Sequence, residues 1–417
     1  MIYNYDMEKM CLPEEITTCI KLLNQNHYEC FVVGGAVRDA LLHRNIHDYD
    51  LSTNATPDEV HQVFHDYPVF DTGIQHGTVT VVINHIHIEI TTYRKESNYS
   101  DHRHPDKITF TKSIQDDCAR RDLTINAFAY HPDFGVQDFF HGLEDLHNKE
   151  INCVGNPDER FNEDALRILR ALRFATELNF NISSSTARAI HQHKDDLKYI
   201  AIERITEEFN KILVSYNPGN TLYAFRDVLE VFIKDINILT KEDFLLLDTA
   251  RNDLTLRYAV LFLKLTTNTL ATLKLPNHTI SDIKLLINHA SLPSNSIFDV
   301  RYLLYQLKDK YPVYLSFRKT IDSSFNLTNV QEMIKQIQLN HDCISLKQLA
   351  ITGLDLQQIG LTGLKIKQAL ETCLLKVMKD ELHNEKEELL LFCKTIIDAT
   401  CNKKQIISNN TKYNTIC

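Results

Sequence analysis

From about residue 162 to the C-terminal end the alternating β-type pattern almost disappears and a helical period takes over, whereas roughly the first 130 residues mix the two. A chain that changes its period in this way is expected to fold as α+β: a head with a mixed sheet and helices, followed by helical layers. In the first region "YECFVVGG" reads as a short apolar strand, "AVRDALL" as a helix and "HDYDLSTN" as a strand running into a turn. "GTVTVVI" and "HIHIEITTYR" form two β runs on either side of Asn84. In the second of these Ile86, Ile88 and Ile90 alternate with His87 and Glu89, which predicts that Glu89 leaves the sheet on the face opposite the isoleucines. Further on, Phe161, Ala165, Ile168, Leu169 and Leu172 mark one apolar helical stripe, with Asp164, Arg167 and Arg170 on the other side. Helical runs recur in "LRYAVLFLKL", "ISDIKLLINHA", "VQEMIKQIQL" and "GLKIKQALETCLLKVM", separated by breaks such as "LKLPNH" and "SLPSNS".

Composition narrows the function classes. A chain of 417 residues predicts two to four domains, and 43% hydrophobic with 24% charged residues is the balance of a globular protein. Nowhere do eighteen apolar residues run together, and the start, "MIYNYDMEKMCLPEE", carries early acids without a long apolar core. No membrane association and a cytoplasmic location are therefore expected. The ten cysteines are scattered with no C-x-x-C pair, so neither a zinc site nor a disulfide framework is signalled. A formal net charge of −10 argues against a globally basic surface, but leaves nucleic-acid binding open wherever positive residues cluster.

The stretch "FVVGGAVRDALLHRNIHDYDLS" carries the first chemical signal. Side chains two apart on an extended strand point the same way, so Asp48 and Asp50 are expected to project together. Two like charges at that range need a cation, and hard oxygen ligands suit Mg²⁺ shared with substrate phosphates. Gly34 and Gly35 stand between a strand and a helix, where backbone N–H groups and a helix N-terminus can hold an anion. Glu89 supplies the third carboxylate that a two-metal phosphoryl site wants. Taken one at a time, Gly-Gly is an ordinary turn, D-x-D an ordinary surface pattern and Glu89 equally a solvated strand face. Their combination suggests a metal-bound triphosphate.

Together "GGAVRDALL…DYD", "HGTVTVVI…IEITTYR", "RRDLTINAFAY", "NEDALRILRALRFATEL" and "ERITEEFNKIL" resemble, in order, the class II nucleotidyltransferases of the polymerase-β superfamily, and within it the bacterial CCA-adding enzymes. The match spans about 31–213; the helical remainder is similar more weakly, through "RYAVLFLKL", "LKLPN" and "GLTGLKIKQAL". The resemblance implies a polymerase-β-like palm head at 1–143, then an all-α neck at 144–215 that selects the nucleotide, a body at 216–312 and a tRNA-binding tail at 313–417. It implies template-independent addition of CCA to the tRNA 3′ end from CTP and ATP, with release of pyrophosphate. It also implies two Mg²⁺ ions on Asp48, Asp50 and Glu89, a triphosphate cradled by Gly34 and Gly35 with Arg38 as counter-charge, and ribose selection by Arg121, Asp122 and Asn126. Tyr93 is followed by a stretch including Asp101, His102 and Arg103 that is similar to a flexible loop needed to admit ATP. The partners implied are tRNA, CTP and ATP, with no protein partner evident.

The same resemblance makes Asp164 and Arg167 an amino-acid template for the base, and this can be checked from hydrogen-bond chemistry. Three residues apart on a helix they are expected to share a face. Cytosine and adenine both present a donating amine beside an accepting ring nitrogen, so a carboxylate and a guanidinium fit both. Uracil and guanine reverse both groups, leaving acceptor against acceptor and donor against donor. Arg170 is expected to add attraction for the triphosphate, and Glu203 and Arg204 to buttress the template helix. "GLEDL" at 142–146 falls where the family has a hinge; Leu143 and Asn152 depart from its usual glycine and arginine. In the tail, "GLTGLKIKQALETCLLKVMK" offers Lys365, Lys367, Lys376 and Lys379 to phosphates, or equally a packed helix with solvated lysines and Ile366, Leu370, Cys373, Leu374 and Val377 as its core. His341–Asp342 is the only His-Asp pair after the neck, without spaced His partners. A poly(A) polymerase, an enzyme adding only CC or only A, and a catalytically silent tRNA-binding protein share the signature; a long basic C-terminal tail, expected of the first, is lacking in "NKKQIISNNTKYNTIC".

Overall fold

The computed structural model describes residues 10–97 and 107–395. It divides into two compact units, residues 1–280 and 281–417, each treated by itself below.

The first unit begins with helix α1 (Glu14–Gln25), which buries Ile16, Cys19, Ile20 and Leu23. Strand β1 (Cys30–Val33) is a run of four apolar residues, all buried, so it takes a central place in a sheet covered on both faces. Gly34, at φ 72°, turns the chain from β1 into helix α2 (Gly35–Leu41). Strand β2 (Asp50–Thr53) is buried except at its first residue. Helix α3 (Pro57–Val63) starts in a capping box between Thr56 and Glu59. Strands β3 (Val69–Gly73), β4 (Thr78–Ile83) and β5 (Ile86–Thr92) follow, the last two joined by Asn84 and His85, both at positive φ as a tight hairpin requires. A separate antiparallel ribbon pairs β6 (Arg94–Ser97) with β7 (Lys107–Phe110). Helix α4 (Ile114–Ala119), strands β8 (Phe128–His131) and β9 (Gly135–Asp138) and helix α5 (Gly142–Asn148) complete the head.

The main sheet has the order β3-β4-β5-β2-β1-β8-β9. It is antiparallel except between β2 and β5, whose parallel register sets Asp50 beside Glu89. Alternation in β5 holds for Ile88 and Ile90, which are buried, and for Glu89, which is exposed. Ile86, by contrast, is 45% exposed: it opens the strand at the hairpin and lines a cleft.

Beyond the head, β10 (Glu150–Ile151) and β11 (Asn181–Ile182) form a two-residue parallel bridge, and helices α6 (Pro157–Glu163), α7 (Leu166–Leu178), α8 (Ser184–His193) and α9 (Ile202–Leu213) pack around it. The single helical stripe expected from Phe161 to Leu172 is corrected here. All five apolar residues are buried, but they belong to two helices. Asp164 lies in the joint with φ −142° and ψ 105°, and its Oδ1 accepts the Leu166 N–H at 3.0 Å. An aspartate at a helix start satisfies an otherwise orphaned donor, which is why the chain breaks there.

In the second unit Leu356, Cys373, Leu374, Met378 and Leu389 are the buried centre, with Ile366, Leu370 and Val377 partly buried against it. The expected stripe of helix Leu364–Met378 is thus its packing face. Of its lysines, Lys367 reaches Glu371 at 3.8 Å, Lys376 pairs with Glu381, and Lys379 lies 5.1 Å over the Phe298 ring. Asp342 is held by Arg301 at 2.7 Å, so the His341–Asp342 pair serves an ion pair.

Candidate active site

The sheet opens a cleft of about 830 Å³ lined by Asp48, Asp50 and Glu89, together with Tyr49, Thr72, Thr80 and His87. Asp48 stands just outside β2, which begins at Asp50, yet both side chains reach this cleft. Burial by surrounding protein pushes the Asp50 carboxyl above its ordinary value; Arg121 draws it back and Asp48 pushes it up again. Among the described residues no hydrogen bond or ion pair engages the side chains of Asp48, Asp50 or Glu89. No three His, Cys, Asp or Glu side chains are already drawn together at ligand spacing among those residues. The donor set nevertheless fits Mg²⁺, which binds through one or two carboxylates and takes its other oxygens from water and phosphate. Uncompensated like charges at the mouth of a cleft, one with raised proton affinity, are what such a cation relieves.

Gly34 follows Val33, the β1 residue that pairs with Asp50. Its own N–H is donated to Phe128 O at 3.1 Å, so it fixes the turn. A Cβ built on Gly34 would come within 2.8 Å of Arg121 Nη1, so the glycine also makes room for that guanidinium. Gly35 is the first residue of α2. Arg38 is buried and fully engaged: Nε and Nη2 donate to Asp39 at 3.0 and 2.9 Å, and Nη1 donates to Asn126 Oδ1 at 2.6 Å. Its guanidinium also lies 4.7 Å over the Phe174 ring. In this geometry Arg38 positions Asn126, a different task from the free counter-charge expected.

Asn126 in turn donates from Nδ2 to Asp122 Oδ1 at 3.3 Å. Asp122 is buried and accepts Arg170 Nε at 2.6 Å and its neighbour Leu123 N–H at 2.9 Å. Burial alone would raise its pKa, but the charge and hydrogen bond of Arg170, with Arg167 behind it, hold the carboxyl well below the ordinary range. Arg170 is therefore engaged by Asp122, a different task from the free charge expected. Phe174 forms a shelf under Arg38, Arg170 and Arg173, at 4.7, 5.7 and 4.3 Å.

The pair expected to select the base takes a different form. Asp164 and Arg167 do not share a helix face, since the joint between α6 and α7 separates them. Asp164 Oδ2 accepts Arg204 Nη2 at 3.3 Å. Arg167 donates from Nη1 to Glu163 Oε2 at 2.6 Å and from Nη2 to the Arg120 carbonyl at 3.0 Å. Each partner is held from behind, and each keeps unused capacity: a carboxylate has about four lone-pair sites and a guanidinium five N–H donors. Arg204 thus buttresses the pair, while Glu203 is exposed in the first turn of α9, where its charge suits the helix N-terminus. At the expected hinge, Gly142 and Leu143 N–H groups are held by Asp138 at 3.0 and 2.9 Å. Asp145 receives Thr124 and Asn152 at 2.5 and 2.7 Å. Asp101, His102 and Arg103 lie outside the described residues.

Sequence reading missed Glu163, Arg160 and Asp117. Glu163 binds Arg160 at 2.5 Å as well as Arg167, and the 160/163/167 spacing is the helical ion-pair signal that could have found it.

The chain is similar to known proteins in three stretches. Residues 30–152 match the poly A polymerase head domain, 179–232 a probable RNA and SrmB-binding site of polymerase A, and 254–393 a putative tRNA nucleotidyltransferase domain 2. The CCA-adding enzyme of Enterococcus faecalis is 46% identical over 212 residues, 51% of this chain and 52% of that one. That of Limosilactobacillus reuteri is 47% identical over 206 residues, 49% of this chain and 51% of that one. The aligned part spans about half the length of these curated relatives. Among solved structures, the Bacillus stearothermophilus CCA-adding enzyme in complex with CTP superposes with a TM-score of 0.76 at 26% identity, over 95% of this chain and 100% of that one. The fold of the Thermotoga maritima CCA-adding enzyme complexed with tRNA is shared at a TM-score of 0.68 and 21% identity, over 94% and 97% of the two chains. Over the stretches these matches cover, head and helical remainder alike, the chain is similar to CCA-adding enzymes.

Proposed function

We propose that this protein is an enzyme that adds the terminal C, C and A to the 3′ end of tRNA from CTP and ATP, without a nucleic-acid template and with release of pyrophosphate. One observation carries the reading. Residues 120–122 connect a cluster of unpaired carboxylates to a set of arginine-held base-reading groups: Arg121 bears on Asp50 and Gly34, Asp122 is clamped by Arg170, and the Arg120 carbonyl receives Arg167.

Asp48 and Asp50, with Glu89 beside them, would hold two Mg²⁺ ions. When bound, such ions supply Lewis-acid activation of the tRNA 3′-hydroxyl and stabilise the departing pyrophosphate. The chain's own residues do the rest. Gly34 and Gly35 shape the turn beside which the triphosphate lies, and Arg121 supplies charge to it. Asp122 and Asn126, locked by Arg170 and Arg38, present a rigid polar edge to the ribose. Asp164 accepts the exocyclic amine of cytosine or adenine, and Arg167 donates to the adjacent ring nitrogen. Arg204 and Glu163 keep these two groups oriented, which makes the mispairing cost of uracil or guanine unavoidable.

We assign a head at 1–143, a neck at 144–215, a body at 216–312 and a tail at 313–417, with tRNA held in part by the exposed lysines of helix Leu364–Met378. A cytoplasmic location, with tRNA, is part of the proposal; no helix among the described residues is long and apolar enough to cross a membrane.

The test is incorporation on a tRNA lacking its 3′ CCA, with each nucleoside triphosphate alone and then with CTP and ATP together, sized to one nucleotide. Two Cs and a single A are expected. Stopping at CC, adding A alone or a long A tract would assign a partial or poly(A) enzyme. No addition with retained tRNA binding would assign a silent binding protein.

A further inference from the structure

Asp117 is fully buried, is not part of the proposed chemistry, and stands at the centre of a charge cluster. Its Oδ1 accepts Arg120 Nε at 2.9 Å and the Arg94 backbone N–H at 3.4 Å. Its Oδ2 accepts the hydroxyl of Ser52, two residues along β2 from Asp50, at 3.3 Å. The same oxygen faces Arg121 Nη2 at 3.5 Å. Burial would raise this carboxyl, but Arg120 and Arg121 keep it below its ordinary value, so it is charged. The adjacent Asp116 turns outward to Lys95 and Thr111 and takes no part.

Arg121 is held by long contacts. Besides Asp117, its Nη1 reaches the Asn126 carbonyl at 3.4 Å, and its buried Nε has no partner among the described residues. A guanidinium fixed at such distances is placed by charge more than by hydrogen-bond geometry. Two carboxylates flank it: Asp117 from inside at 3.5 Å, and Asp50, whose register partner Val33 precedes the Gly34 against which the Arg121 guanidinium lies. We infer that Asp117 is a positioning residue that holds Arg121 back from Asp50, keeping its charge available to the nucleotide's phosphates and leaving Asp50 free as a ligand. The inference rests on the nucleotidyl-transfer reading. It separates phosphate affinity from base choice, because Glu163 holds Arg167 at 2.6 Å without any contact to Asp117.

The test compares wild type with Asp117→Asn, Asp117→Glu, Arg121→Ala and the double variant Asp117→Asn/Arg121→Ala in the full chain. KM and kcat for CTP and ATP, equilibrium dialysis of CTP with Mg²⁺, and the CTP-to-UTP preference are measured on each. Asp117→Asn is expected to raise KM and weaken CTP binding by about 10-fold or more, the size of losing one charged partner. Its kcat should fall less and its preference for CTP over UTP stay unchanged. Asp117→Glu should recover part of the affinity, and the double variant should bind CTP no worse than Arg121→Ala alone. An unchanged CTP affinity in folded Asp117→Asn, additive losses in the double variant, or loss of base preference in parallel with affinity would each overturn the inference. Should Asp117→Asn not fold, Ser52→Ala, which keeps the charge but releases it from β2, must still raise KM by about 2-fold or more; a wild-type KM there refutes it. Wild-type protein that adds no nucleotide would instead defeat the functional reading, whatever the variants do.

Discussion

The strand cleft and the helical layer beyond the head treat negative charge in opposite ways. On the strand side Asp48, Asp50 and Glu89 face the opening with no hydrogen bond or ion pair to their side chains among the described residues, and burial lifts the Asp50 carboxyl above its ordinary value. On the helix side Asp122, Asp164 and Glu163 each have an arginine, and Asp122 is held far below the ordinary range against the pull of burial. Charge left uncompensated in a folded protein costs stability and is kept for a ligand that will neutralise it. Charge paired within the protein is rigid, and rigidity is what a group needs if it is to reject a base by hydrogen bonding. One polypeptide segment, residues 117–122, bears on both: the Arg121 charge acts on Asp50 and Asp122 accepts Arg170.

The comparison breaks most sharply at the metal side. Asp48→Ala is expected to lower nucleotide incorporation by about 10³-fold or more while tRNA binding, read by gel shift, is retained. Full activity in that variant would remove Asp48 from the cation site. Next in size is the base-reading side: Arg167→Ala should lower the preference for CTP over UTP by about 10²-fold, measured from kcat/KM on each nucleotide. A uniform loss for both nucleotides would mean that Arg167 reads no base.

Stability gives the third contrast, with opposite signs. Asp122→Asn removes the buried charged partner of the part-exposed Arg170 and should cost about 1.5–3 kcal/mol in urea unfolding at neutral pH. Because the folded pKa of Asp122 is depressed, its contribution is complete above the ordinary carboxylate value of about 3.9 and is lost as pH falls through the folded value. The wild-type advantage over Asp122→Asn should shrink on acidification. For Asp50 the folded pKa is raised, so the folded state binds the proton more tightly and ionisation costs stability as pH rises through the carboxylate range. Asp50→Asn should therefore melt slightly higher than wild type in chelator, the smallest effect of the set. Added Mg²⁺ should raise the wild-type melting temperature and leave that variant unmoved.

Much of the fold was legible. The change of period near residue 162, the strand before Gly34 and the hairpin about Asn84 all follow from local pattern, because burial on one face writes itself into spacing. Glu89 was found by alternation for the same reason. The break at Asp164 was not found, since the apolar spacing continues across it and only the capping bond to Leu166 reveals two helices. Arg38 and Arg170 were assigned to substrate because a sequence shows that an arginine is present but not which carboxylate it meets.

The sequence by itself determined the alternation of layers, the turn that Gly34 permits and the residue types from which a cation and a base could be bound. Those features depend on period, on backbone freedom and on side-chain chemistry, all of which are local. The pairing of charges was decided only by the tertiary structure. In "DDCARRD" either aspartate stands at helical spacing from an arginine, yet Asp117 goes inward to Ser52, Arg120 and Arg121 while Asp116 goes outward to Lys95. The physical reason is that an ion pair's strength depends on its burial and on every other charge within a few ångströms, and those neighbours come from strands and helices far apart in the chain.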